Sequence, residues 1–269
     1  MPPSLTRTSA KLARALFGAI GLSPAVVVAV AVAPADAQPR PWVFRYEPSL
    51  ESTTNLQQQA GGTPDLVLRN NLDASWMPLS GPDRSVLVRL SALSSRFQYN
   101  GDYDSTFLSG TGIGSLRFGG PVYGYAGYQV LYKQGVRPGT TNRLDGDAFG
   151  GIVSYWPLAE WLLVFHGYQA DVLRAAVVET GYLGHSIYLS ARLATTPAWT
   201  HGVSLRSQLR LYDAIGELEW RNQLTGETAY RFTDWFSLVL EGFVVNATAS
   251  QPGLSFLGSN LGLFSRFTF

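Results

Sequence analysis

One feature constrains this chain more than any other: long runs in which every second side chain is apolar. The clearest is 201–211, where His201, Val203, Leu205, Ser207, Leu209 and Leu211 alternate with Gly202, Ser204, Arg206, Gln208 and Arg210. The next run repeats it. Leu218, Trp220, Asn222 and Leu224 alternate with Glu219, Arg221 and Gln223, and Glu227 and Arg231 follow. Over 65–76, Leu66, Leu68, Leu72, Ala74 and Trp76 oppose Arg69, Asn71, Asp73 and Ser75. Over 42–50, Trp42, Phe44, Tyr46 and Leu50 oppose Arg45 and Glu47. Successive side chains of a strand point to opposite faces, so a period of two is a strand signal. The runs reach about 10–14 residues, beyond the five or six of a common globular strand.

Gly, Pro, Asp and Asn separate the runs, as turn chemistry requires. The pattern predicts an all-β chain of about twelve strands. They fall at 41–54, 64–77, 84–98, 106–119, 121–133, 146–157, 160–170, 181–195, 200–213, 217–232, 235–248 and 256–269. Ten strands stay open, because the phase near 160–181 is ambiguous.

The N-terminus predicts an exported protein. Arg7, Lys11 and Arg14 precede an apolar stretch at 15–33, and Ala35-Asp36-Ala37 follows it. Basic, apolar, then A-x-A is the layout of a cleaved secretory signal, so 1–37 reads as signal and 38–269 as the working domain. An uncleaved membrane anchor is the alternative, and Gly21 and Pro24 interrupt it. Cleavage would remove three basic residues and one acidic one, turning the formal net charge from +1 to −1. That balance argues against a nucleic-acid partner. Without Cys there is no disulfide framework, thiolate metal site or thiol nucleophile. Beyond residue 38 no apolar run is long enough for a membrane helix.

An exported chain of long half-apolar strands is best explained by closure. In lipid every backbone N–H and C=O needs a partner within the protein, which a closed sheet provides. A tilted strand crosses a bilayer in about 9–11 residues. The reading is a transmembrane antiparallel up-and-down β-barrel. The tryptophans support it: Trp42, Trp76, Trp156, Trp161, Trp199 and Trp235 fall at alternate strand ends, all on the predicted periplasmic side. Amphipathic aromatic rings gather at bilayer interfaces, so these six are expected to form a membrane-interface girdle.

The C-terminal residues 261–269, LGLFSRFTF, alternate Leu261, Leu263, Phe267 and Phe269, with Ser265 breaking the apolar series. This segment resembles the C-terminal strand of bacterial outer-membrane β-barrels. The resemblance implies residence in a Gram-negative outer membrane, contact with its lipid, and Phe267 and Phe269 as the signal read by the barrel-assembly machinery. It covers nine residues and points to no narrower family.

The face opposite the apolar one becomes the expected lumen, because an Arg facing lipid at mid-membrane costs roughly 2–4 kcal/mol. It is expected to be polar and lined by Arg45, Glu47, Arg69, Asp73, Arg89, Arg117, Arg192, Arg206, Arg210, Glu219, Arg221, Glu227, Arg231, Glu241 and Arg266. Its excess of arginine suggests a mild preference for anions. Eight strands leave no room inside and sixteen leave an open channel; twelve would leave on the order of 10 Å at best. The first reading is therefore a narrow channel or transporter for small polar solutes.

A closed structural barrel that docks a partner through its outer connections, the longest at about 134–145, is the second. An outer-membrane hydrolase is the third. A serine hydrolase needs a His beside its Ser. His185 and Ser186 are adjacent, so they face opposite ways, and so do His201 and Ser204. His166 is expected in the lumen or at a rim, and His201 at a turn beside Trp199. The acidic pairs Glu217/Glu219 and Glu47/Glu51 resemble a protease carboxylate site no more than a ladder of inward charge. No metal-site or phosphate-loop pattern is present. No enzyme activity, metal or cofactor is expected.

Overall fold

The structure, a computed structural model, describes residues 42–54, 64–81, 83–135, 142–177, 180–250 and 255–269. The signal segment 1–37 and the connection residues 55–63 and 136–141 lie outside the described residues. Twelve strands follow one another: β1 (Trp42–Thr53), β2 (Asp65–Ser80), β3 (Arg84–Phe97), β4 (Ser105–Gly119), β5 (Val122–Gly135), β6 (Arg143–Ala159), β7 (Leu162–Arg174), β8 (Tyr182–Ala194), β9 (Trp199–Tyr212), β10 (Glu217–Arg231), β11 (Phe236–Ala249) and β12 (Phe256–Thr268). Twelve, not ten, is the strand number. The ambiguous stretch around 160–181 resolves into β7, which runs four residues past its expected end, and a connection to β8.

Each strand pairs antiparallel with its sequence neighbours, and β1 pairs with β12 to close the barrel. The seam is sealed by Phe44 and Phe269, whose backbones exchange hydrogen bonds of 3.1 and 2.9 Å. Closure leaves no unpaired edge, which is the condition for a sheet in lipid. Among the described residues no helix is long and apolar enough to cross a membrane.

The rim where β1 begins and β12 ends, called here the terminal rim, carries tight connections. At Gly120 φ is +52°, a left-handed conformation that glycine adopts without a Cβ penalty, and it lets β4 turn into β5 within two residues. At the opposite, distal rim a short 3-10 turn (Gly101–Tyr103) joins β3 to β4. Asp65 anchors that connection. Its carboxylate accepts hydrogen bonds from the backbone N–H of Leu66, Gln98, Tyr99 and Asn100 and from the Asn100 side-chain amide. Asp65→Ala leaves the Tyr99 and Asn100 donors without this acceptor, while Gln98 keeps the Leu66 carbonyl at 3.0 Å, at a cost of about 1–3 kcal/mol. The expected result is faster hydrogen exchange at Tyr99 and Asn100, with Gln98 and the strand amides unchanged.

Candidate functional site: the barrel interior

Which face of each strand is concave follows from contacts that reach across an intervening strand. Arg266 of β12 approaches Glu227 of β10 at 4.0 Å. The Tyr125 hydroxyl of β5 donates to Gln169 of β7 at 3.1 Å. The Gln208 amide of β9 donates to Asp171 of β7 at 3.4 Å. Side chains two strands apart meet only on the concave side. The alternate positions form the outer face, a belt that includes Leu50, Leu72, Leu90, Leu189, Leu205, Leu224 and Leu263, all exposed.

All fifteen charged residues singled out in the sequence stand on interior positions of their strands. They do not form one set. Around β12, β1 and β10, Arg266 pairs with Glu47 and approaches Glu227, while Glu241 lies opposite Glu227 in the register. On β2 and β3, Arg89 holds Asp73 at 2.6 Å, and Arg69 pairs with Glu51, which also accepts from Asn260. On β9 and β10, Glu219 sits between Arg210 at 3.5 Å and Arg221 at 3.2 Å. Arg206 is apart from that ladder and donates to Ser186 at 3.1 Å. Arg117 and Arg231 belong to the terminal rim, where they approach Asp83 and Asp234. Arg45 lies among Arg266, Glu47 and Asp73, and Arg192 faces Glu227 and Arg266.

Two expectations about this face need correction. The interior is not arginine-dominated: Asp65, Asp145, Asp147, Asp171 and Glu217 also occupy interior positions, and the acids nearly balance the bases. Nor is it polar throughout. Leu87, Ile113, Tyr123, Tyr125, Phe149, Val153, Tyr155, Phe165 and Tyr188 form one buried cluster on the inner side of β3 to β8, with Met77 and Leu163 against it. Alternation hides this wall, because outward neighbours such as Ala126, Ile152 and Leu189 are apolar too. Where both faces are apolar, period two assigns no phase. A Cβ on Gly151 would lie 2.9 Å from the Tyr125 hydroxyl, one on Gly167 2.4 Å from the Tyr188 hydroxyl, and one on Gly127 2.6 Å from the Phe149 ring. Aromatic side chains thus approach bare backbone on the neighbouring strand.

The tryptophans sort by height. Trp42, Trp76, Trp156, Trp161, Trp199 and Trp235 are exposed at the terminal rim, and Trp220 is exposed near the distal one. Trp42 stacks on Trp76 with ring centroids 5.7 Å apart. Phe267 lies between Tyr46 and Phe236, with Trp235 beside it, and Phe269 is exposed beyond it.

All three histidines face outward; His166, expected in the lumen or at a rim, is not in the lumen but on the outer face beside the rim residue Trp156. His166 accepts from the Trp156 indole at 3.3 Å, because it shares the outer face with Trp156 across the β6–β7 pair. His185 bonds the Tyr168 hydroxyl at 2.6 Å, and His201 stacks on Trp199 and meets Thr228. Among the described residues no serine hydroxyl bonds an imidazole, and no group of three or more His, Asp or Glu is placed to hold a metal ion.

The sequence matches no protein-family model and no curated protein. The fold does have solved counterparts. One is an outer membrane channel from Pseudomonas putida F1, 12% identical, covering 88% of this chain and 99% of that one, with a TM-score of 0.56. Another is the β domain of the Bordetella autotransporter BrkA, 11% identical, covering 85% of this chain and 99% of that one, with a TM-score of 0.50. Closed twelve-strand topology, an apolar outer belt and these counterparts agree: the chain has the fold of the bacterial outer-membrane β-barrels.

Proposed function

We propose that the protein is an outer-membrane channel of narrow bore for small polar solutes. The observation that carries this reading is the contrast between the two faces of one sheet. The outer face is a continuous apolar belt, and the inner face brings charged side chains from β1, β2, β3, β6, β8, β9, β10, β11 and β12 to a common interior. Charges lining a passage offer permeating ions and dipoles replacements for part of their hydration. Near-balanced charge supports passage of small polar solutes in general, without the anion preference that the arginine count alone implied.

In this reading the terminal rim faces the periplasm. Residues 1–37 are the export signal and 38–269 the barrel. The six tryptophans of that rim sit at the inner interface, and Phe267 and Phe269 present the strand read by the assembly machinery. The barrel is non-catalytic: its imidazoles lie on the lipid side, without a serine partner among the described residues, and Glu47 and Glu51 are held in ion pairs.

Reconstitution of the refolded protein into planar bilayers is expected to give discrete ion-conductance steps. A folded protein, shown by heat-modifiable migration on a gel, that leaves bilayers silent would refute the channel. That result would favour a closed barrel that docks a partner at its distal connections. The dense packing of the interior near the terminal rim is the observation on that side.

A further inference from the structure

Arg266 is the largest fully buried side chain among the described residues, with 1% of its surface exposed. It stands three residues from the last position of the chain, on the half of the barrel nearest the terminal rim. A guanidinium in the lumen of a wide channel would be wet. Here it is enclosed between carboxylates contributed by β1 and β10. Its Nε binds Glu47 on one neighbouring strand, and its Nη2 reaches past β11 to Glu227 on β10.

The surroundings close the section further. Glu241 lies opposite Glu227, and Arg192 lies opposite Gly202, which in turn lies opposite Glu227. Arg45 lies beside Asp73 in the register and near Arg266. On the other side of the same half stand Tyr123, Tyr155 and Phe165 of the aromatic cluster, and Arg192 lies within electrostatic reach of Tyr155. Charges away from this cluster stay partly wet, Arg117 and Arg231 at the terminal rim included. Arg69 and Arg143 each keep about a third of their side-chain surface in contact with solvent.

We propose that the Glu47–Arg266–Glu227 chord is the constriction of the conduit and the element that sets its ion selectivity. The inference rests on the channel reading. A permeating ion must pass within a few ångströms of these groups, where the field of a unit charge is least screened. With both carboxylates present the arginine is compensated. With them neutralised it presents a fixed positive charge at the narrowest point, and cations are repelled.

The test is reversal potential and unit conductance in a KCl gradient across planar bilayers. The double variant Glu47→Gln, Glu227→Gln keeps side-chain volume and removes two negative charges. It is expected to raise the anion-to-cation permeability ratio by about threefold or more. Arg266→Ala shortens the chord and removes the positive charge, so unit conductance should rise and selectivity move toward cations. Asp234→Asn, an exposed rim carboxylate, should leave both readings near wild type. Folding of each protein is checked by heat-modifiable migration, and either chord variant alone decides if the other fails to fold. A conducting wild type whose selectivity and conductance are unchanged in a folded chord variant overturns the constriction and leaves the channel standing. A folded wild type and folded variants that are all silent remove the channel reading and the constriction with it.

Discussion

Leu205→Arg is expected to destabilise the folded barrel in a bilayer by about 2–4 kcal/mol, the depth-dependent cost of a charge on the lipid face near mid-membrane. Leu205 lies near the middle of β9 and is opposite Leu189 on one side and Leu224 on the other. All three are exposed, about half of each surface facing outward, so the site is the centre of an apolar belt and has no neighbouring carboxylate. An arginine there can reach neither rim without stretching across several rows of leucine. One residue along, Arg206 is tolerated because it points inward to Ser186. Reversible denaturant unfolding from phospholipid vesicles measures the difference. A loss under about 0.5 kcal/mol, the usual range for an inert surface change, would mean that this face meets water, and the membrane reading would fall.

Gly167→Val is expected to cost about 3 kcal/mol or more, or to prevent closure of the barrel altogether. Overpacking alone costs about 1–3 kcal/mol when side chains can shift. Here they are not the only obstacle. A Cβ at 167 would lie 2.4 Å from the Ile152 carbonyl oxygen as well as 2.4 Å from the Tyr188 hydroxyl. The tyrosine can swing away; the carbonyl belongs to the β6–β7 ladder and cannot move without breaking pairing. Valine adds two methyl groups beyond that Cβ. At Gly114 on β4 a Cβ would meet nothing within 4 Å, so Gly114→Val should be nearly neutral. Denaturant midpoints of the two variants, measured side by side, check the contrast. Equal midpoints would show that the Ile152 carbonyl does not crowd position 167.

How much was legible depended on one asymmetry. In β1, β2, β9 and β10 apolar residues fill one face and charges the other, so alternation revealed both strand and phase. Arg45, Arg69, Arg210 and Glu219 were assigned to the interior from that pattern alone, and their interior positions follow in the structure from contacts across strands. From β4 to β8 both faces are apolar. The run around Tyr123, Tyr125, Phe149 and Val153 announces strands without saying which side is inside, and Asp145 and Asp171 fall outside the strands expected at 146–157 and 160–170, which extend to Arg143 and Arg174. The choice between lumen and rim stayed open for His166 because its strand, LLVFHGYQAD, carries apolar residues in both phases.

Local sequence therefore determined the elements: long strands, the turns between them, ten to twelve crossings and the inward direction of most charges. These follow from period-two patterning and turn chemistry, which act over a few residues. Tertiary structure decided which charges meet. Glu47 and Arg266 are 219 residues apart in the chain, and only the closure of β1 on β12 makes them neighbours. Glu227 joins them because the curvature of the barrel lets a long side chain span a chord. Balance between acids and bases and the aromatic inner wall are properties of a closed cylinder. No stretch of alternating residues contains them, since each arises from strands whose order around the barrel is set by backbone pairing.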